Sequence, residues 1–157
     1  RMPVTKSKIH KSVKIINRDL VNIYGCQIKA NTKIGPFVEI QKDVLIGEKC
    51  KISSHTFICS GVKIHDNVFI GHNVIFINDR HPESVNKMGQ LKNEKDWVLE
   101  DTIIESGVSI GSGSVIMCGL TIGKNSTIGA GSLVLKDISK NTIFFNKRNS
   151  YKYKKWT

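Results

Sequence analysis

The sequence predicts an all-β chain coiled as a parallel β-helix, and three observations predict it. Isoleucine recurs every six residues at Ile28, Ile34, Ile40, Ile46, Ile52, Ile58, Ile64 and Ile70, with Phe76 next in phase. The period resumes at Ile104, Ile110, Ile116, Ile122, Ile128 and Val134. Between the blocks the phase breaks once. A fixed period of this kind marks a repeat architecture, because the two-residue alternation of an ordinary strand does not generate a strict six.

The remaining slots of the hexad agree. Four residues after each isoleucine of the first block stands a small or β-branched residue: Thr32, Val38, Val44, Cys50, Thr56, Val62, Val68 and Val74. The second block offers Val108, Ser114, Leu120, Ser126, Ser132 and Ile138. Three residues after the isoleucine, Asn31, Gly61, Asn67, Asn73, Gly107, Gly113, Gly119, Asn125 and Gly131 tolerate positive φ and make that slot a corner. A short strand and a tight corner, repeated three times, close a coil of about 18 residues, and stacked coils form a prism with isoleucine ladders inside. The blocks give about five to six coils.

The 157 residues suit one domain, 1–157, whose core needs neither disulfide nor metal. There is no run of about 18 apolar residues and no signal-peptide core, so the expectation is a cytoplasmic chain without membrane insertion. Cys26, Cys50, Cys59 and Cys118 show no CxxC pairing and read as free thiols. The formal charge of +11 is spread along the chain without a nucleic-acid-binding motif, which points away from nucleic acid. It suits small polyanions such as CoA and nucleotide sugars, and part of it serves solubility.

The phase break lies between Phe76 and Ile104, a gap of 28 residues where one rung takes six, so about 22 residues are inserted as a loop at about 77–101. Loops of this length in a compact domain carry function or are flexible. Here Trp97 favours function, since an indole in a polar loop has something to cover. A basic tail follows at about 141–157.

Periodicity alone leaves the handedness open. The segments IGPFVEI, VLIGEKCKI, VSIGSGSVI and LTIGKNSTIGAGSLV resemble the hexapeptide-repeat acyltransferases, over roughly residues 14 to 140. That resemblance implies a left-handed prism and a homotrimer. The stretch from Ser54 to Pro82, ending in FINDRHP, is similar to the N-acetyltransferases of nucleotide-linked 3-amino sugars, of the dTDP-3-amino-3,6-dideoxyhexose and UDP-3-amino-glucuronic acid type. GPFVEIQKDV at Gly35 to Val44 and the pair Asp96 and Trp97 look like the same group. The resemblance implies acetyl transfer from acetyl-CoA to a sugar amine for surface glycans such as lipopolysaccharide. It sets Asn78 and Asp79 at the amine, with Arg80, His81, Glu83 and Trp97 in the loop that walls the pocket and a neighbouring subunit completing it.

The chemistry asks for little. A neutral amine is a good nucleophile toward a thioester, so alignment and polarisation matter most. His72 is the candidate if a base is used, and His55 has a corner position facing the nucleotide. Small corners at Gly111, Ser112, Gly129 and Ala130 let a pantetheine arm lie close to the chain, though the same residues satisfy the fold alone. By resemblance Lys136, Lys147 and Arg148 face CoA phosphates, but the tail lacks the Gly and Pro-Ala usual beside Asn146 in that family.

Other readings stay open at this stage. O-acetylation of a sugar hydroxyl would need a histidine base. A non-catalytic binding module would keep the prism and lose the chemistry. A zinc enzyme on the same prism would need three converging histidines, and His65 and His72 stand seven apart, out of step with the ladder. No metal is expected. Arg1 ahead of Met2 fits a chain that is one domain of a longer polypeptide.

Overall fold

In the computed structural model, which describes residues 3–147, each repeat isoleucine ends a strand of two or three residues and is buried. Among the described residues the strands stack into three parallel sheets, with seven strands in two sheets and six in the third, wound as a left-handed β-helix. One coil sets the register: Ile28 pairs with Ile46, Ile34 with Ile52 and Ile46 with Ile64. Beyond the loop Ile64 pairs with Ile104, 40 residues on instead of 18, so the 22 extra residues leave the stack without disturbing it.

The corners explain how strands this short can turn. All nine expected corner residues, from Asn31 to Gly131, have positive φ, and so do Phe37, Asp43, Lys49 and His55 in the same slot. A side chain with Cβ in that region is strained, so the stacked backbone hydrogen bonds must hold these four in place. Examples are the N–H of Phe37 donating to the carbonyl of Leu20 at 2.8 Å and that of His55 to Pro36 at 3.2 Å.

Inside, Ile34, Ile40, Ile58, Ile70, Ile104, Ile110, Ile116 and Ile122 have no exposed surface. Full burial of each side chain is worth about 1.5–3 kcal/mol. Small polar residues in the four-after slot satisfy corner carbonyls: Thr32 Oγ1 donates to Gly47 and Thr56 Oγ1 to Gly71, both at 2.9 Å. Cys26, Cys50, Cys59 and Cys118 are free and buried.

The prism is taller than five to six coils. Strands Val4–Thr5, Lys8–Ile9 and Lys14–Ile15 add a coil below Ile28. Its registers run over 19 residues, Ile9 with Ile28 and Ile15 with Ile34, which hides it from a strict six. A 3-10 turn at Arg18–Leu20 takes up further residues. At the other end Ile143–Phe144 pairs with Thr127–Ile128, so the expected tail begins as a strand of the prism. Asn146 then brackets Leu133, accepting its N–H at 2.6 Å and donating to its carbonyl at 3.1 Å.

The three outer faces differ. One carries Phe57, Ile75, Val115 and Leu133 in register, an apolar face. The second is mixed, with Gln27, Leu45, Lys63 and Ile103. The third is basic at its lower end, with Lys14, Lys33 and Lys51 below Phe69. Among the described residues no helix is long and apolar enough to cross a membrane.

Candidate active site

The inserted loop leaves from the corner between the apolar and mixed faces. Tyr24, Lys42, Ser60 and Asn78 recur there at intervals of 18, one per coil. Asn78 Nδ2 donates to the Ser60 carbonyl at 3.2 Å, tying the first turn of the loop to the coil below. The loop folds back so that Trp97 and Leu99 face this column, forming a cleft of about 390 Å³ lined also by Tyr24, Gln41, Ser60 and Asn78. Lys42 and Glu94, on the two sides of the cleft, form an ion pair at 2.6 Å. The Asn78 bond uses its amide nitrogen, which assigns Oδ1 as the acceptor available to a ligand donor.

Asp79 Oδ1 accepts the backbone N–H of His81 at 2.9 Å, fixing the turn and leaving Oδ2 for another donor. Arg80 ties the loop shut. Its Nε and Nη2 donate to Glu100 at 3.1 and 2.9 Å, and Nη2 also reaches the carbonyl of Cys118 at 2.8 Å. The hydrogen bond from Arg80 holds the Glu100 carboxyl below its usual range, and the same bond raises the arginine. Lys92 donates to Glu83 at 2.6 Å and lowers that carboxyl in the same way. Arg80 and Glu83 therefore build the loop, His81 is exposed, and Asn78 and Trp97 line the cleft.

A second column stands at the corner between the basic and apolar faces: Pro36, Ser54, His72, Ser112 and Ala130. His72 is exposed, with Nδ1 at 2.8 Å from Ser54 Oγ. Its backbone N–H donates to Ser112 Oγ at 3.0 Å, and its carbonyl accepts the N–H of Gly113 at 2.8 Å. The glycine of this corner has a packing cause: a Cβ on Gly111 would lie 2.4 Å from the Ala130 nitrogen. Gly129 and Ala130 lie on the same corner, one coil on. His55 occupies a corner with φ 61° and stacks on Phe37, centroids 4.7 Å apart.

Within one chain the two columns do not meet. His72 precedes the strand Ile75–Phe76 and Asn78 follows it, on opposite sides of the apolar face. Six residues span at most about 20 Å. Lys136 lies on the Asn78 side, next to Asp137, whose carboxylate accepts the N–H of Thr121 at 2.8 Å. Lys147 is exposed beyond the last strand, and Arg148 lies outside the described residues. No sequence motif marks Tyr24, Gln41, Lys42 and Ser60 as cleft residues, but steps of 18 back from Asn78 reach three of them.

The bacterial transferase hexapeptide model (six repeats) matches residues 25–60 and 101–136, the two blocks on either side of the loop. Those two blocks are hexapeptide repeats of the bacterial transferase type. Among individual relatives it is 32% identical over 136 residues to the bifunctional protein GlmU of Thermosipho africanus, covering 84% of this chain and 26% of that protein. The chain thus spans about a quarter of the GlmU length. It is 40% identical over 84 residues to the galactoside O-acetyltransferase of Lactococcus lactis, 52% of this chain and 38% of that one. A crystal structure of the hexapeptide-repeat acetyltransferase VCA0836 from Vibrio cholerae with acetyl-CoA superposes with a TM-score of 0.61 at 26% identity, covering 79% of this chain and 66% of that one. Among the described residues of this hexapeptide protein, no three His, Cys, Asp or Glu side chains converge as a metal site.

Proposed function

We propose that the chain is an acetyl-CoA-dependent N-acetyltransferase acting on the 3-amino group of a nucleotide-linked deoxysugar, as a homotrimer. The observation that carries this reading is the position of the apolar face, bounded on one side by the His72 column and on the other by the Asn78 cleft. When three prisms turn this face toward a common axis, the His72 corner of each meets the Asn78 corner of the next. Phe57, Ile75, Val115 and Leu133 leave water, and the two half-sites join. Lys136, on the Asn78 side, then approaches the neighbour's Gly111, Ser112, Gly129 and Ala130, where the acyl carrier lies.

In this arrangement Asn78 Oδ1 accepts a hydrogen bond from the amine, and the outer oxygen of Asp79 orients it. The amine nitrogen attacks the thioester carbonyl, forming the N–C bond as the C–S bond breaks. The CoA thiolate leaves and takes the proton that the nitrogen sheds. Proximity supplies most of the acceleration, since the neutral amine needs little activation.

The similarity to a galactoside O-acetyltransferase favours a second reading, transfer to a sugar hydroxyl. His72, held by Ser54, would then act as base. Purified protein given acetyl-CoA and a panel of dTDP- and UDP-linked 3- and 4-amino sugars tests both. Amide formation on a 3-amino sugar supports the first reading; transfer only to hydroxyl acceptors replaces it with the second.

A further inference from the structure

The basic face carries an arrangement that the reaction just described leaves unused. Lys14, Lys33 and Lys51 occupy the same outward position on consecutive coils, paired residue to residue across the sheet. Neighbouring rungs lie roughly 4.8 Å apart, and like charges directly opposite one another are destabilising. None of the three lysines forms an ion pair with an acidic side chain among the described residues. The ladder ends at Phe69, over which Lys51 Nζ sits 5.7 Å from the ring centroid. Beside it a groove of about 310 Å³ runs from Lys33 and Lys51 past Phe69 to Ser54 and His72 at the corner.

We infer that this groove binds the diphosphate of a nucleoside diphosphate, with Lys33 and Lys51 each meeting one phosphate and Phe69 offering an apolar platform to the remainder of the ligand. Two cations one rung apart match two linked phosphates, and a dianion there relieves the repulsion between them. The groove opens at His72, so a ligand held by its phosphates there can extend a reactive end to the corner. The assignment rests on the acetyl-transfer reading for its choice of ligands, because both co-substrates of that reaction, CoA and the nucleotide sugar, contain a nucleoside diphosphate.

Calorimetric titration of the full chain with CoA, ADP, dTDP and UDP tests it, comparing wild type with the Lys33→Gln/Lys51→Gln double variant. Lys8→Gln, on the mixed face, serves as the charge control. The double variant should weaken at least one ligand by about tenfold or more, with the wild-type affinity falling as salt rises. Its melting temperature should hold or rise. Loss confined to CoA assigns the groove to the acyl carrier; loss confined to dTDP or UDP assigns it to the acceptor. Unchanged affinities in the double variant, an equal loss in Lys8→Gln, or no binding by wild type overturns the inference. The readout is binding alone, so a groove that fails beside intact acetyl transfer, and a groove that works without any transfer, are separate outcomes.

Discussion

Arg80 and Glu100 stand at the two ends of the inserted loop and are joined by two hydrogen bonds, 3.1 and 2.9 Å, while the same guanidinium caps the carbonyl of Cys118 on the coil above. The pair is partly exposed, so its contribution to global stability is small. Its effect is local. Arg80→Ala should speed amide exchange across residues 81–99 by roughly tenfold while leaving the isoleucine strands protected, and Arg80→Lys, which keeps the charge but loses the fork, should fall between. Because Arg80 lowers the Glu100 pKa, the clamp is fully present above the ordinary carboxyl value of 4.5 and is lost as pH falls through the lower folded value. Exchange that is uniform with wild type would mean that the loop is held by other contacts.

Ile64 is 2% exposed and sits in the inner ladder between Ile46 and Ile104. Ile64→Ala should cost about 2–5 kcal/mol by the methyl groups lost and the cavity left between coils. Chemical denaturation measures it. An unchanged midpoint would contradict the inward ladder.

Most of this fold was legible in the sequence because each hexad slot has one physical demand: isoleucine inward, a small residue beside it, a corner with positive φ. The positive φ of Phe37, Asp43 and Lys49 was not legible from residue type, since stacking hydrogen bonds override the preference of those residues, whereas His55 was placed on a corner by its slot in the hexad. The first coil was hidden by its 19-residue register. The place of the inserted loop was legible from the phase break, and two of the residues singled out there, Asn78 and Trp97, line the cleft. His72 and Asn78 share the hexad phase, and their six-residue separation places them on successive corners of a coil of 18, with the strand Ile75–Phe76 between them. Arg80 and Glu83 read as substrate contacts by resemblance, whereas both are engaged in ion pairs within the loop region.

For assembly, the apolar face supplies the test. Leu133 is 45% exposed in the single chain and lies in register with Val115. Leu133→Glu should shift sedimentation from trimer toward monomer at micromolar concentration, since a carboxylate in a desolvated interface is costly. A wild-type monomer, or a variant that remains trimeric, would contradict the assembly proposed.

Cys59 gives an alkaline signature. Burial pushes its thiol from 9.0 up to about 12. Between those values the folded chain holds a proton that the unfolded chain has released, so stability is intact below about pH 9 and declines above it, by about 1.4 kcal/mol per pH unit for one full proton. Cys59→Ala should show a shallower decline between pH 9 and 10.5 in denaturant titrations, whatever its cost at neutral pH. An identical slope would mean that the thiol ionises freely in the fold.

In the proposed acetyl transfer to an amine, alignment at the Asn78 cleft matters more than a histidine base. The direct measurement is kcat/KM for a nucleotide-linked 3-amino sugar in Asn78→Ala, Asp79→Ala and His72→Ala, followed across pH. Losses of roughly 10 to 1000-fold are expected for the first two, equivalent to about 1.4–4 kcal/mol of transition-state stabilisation, with a smaller loss for His72→Ala. A nearly inactive His72→Ala at every pH beside a nearly normal Asn78→Ala would contradict this ranking, and would move the acceptor to a hydroxyl.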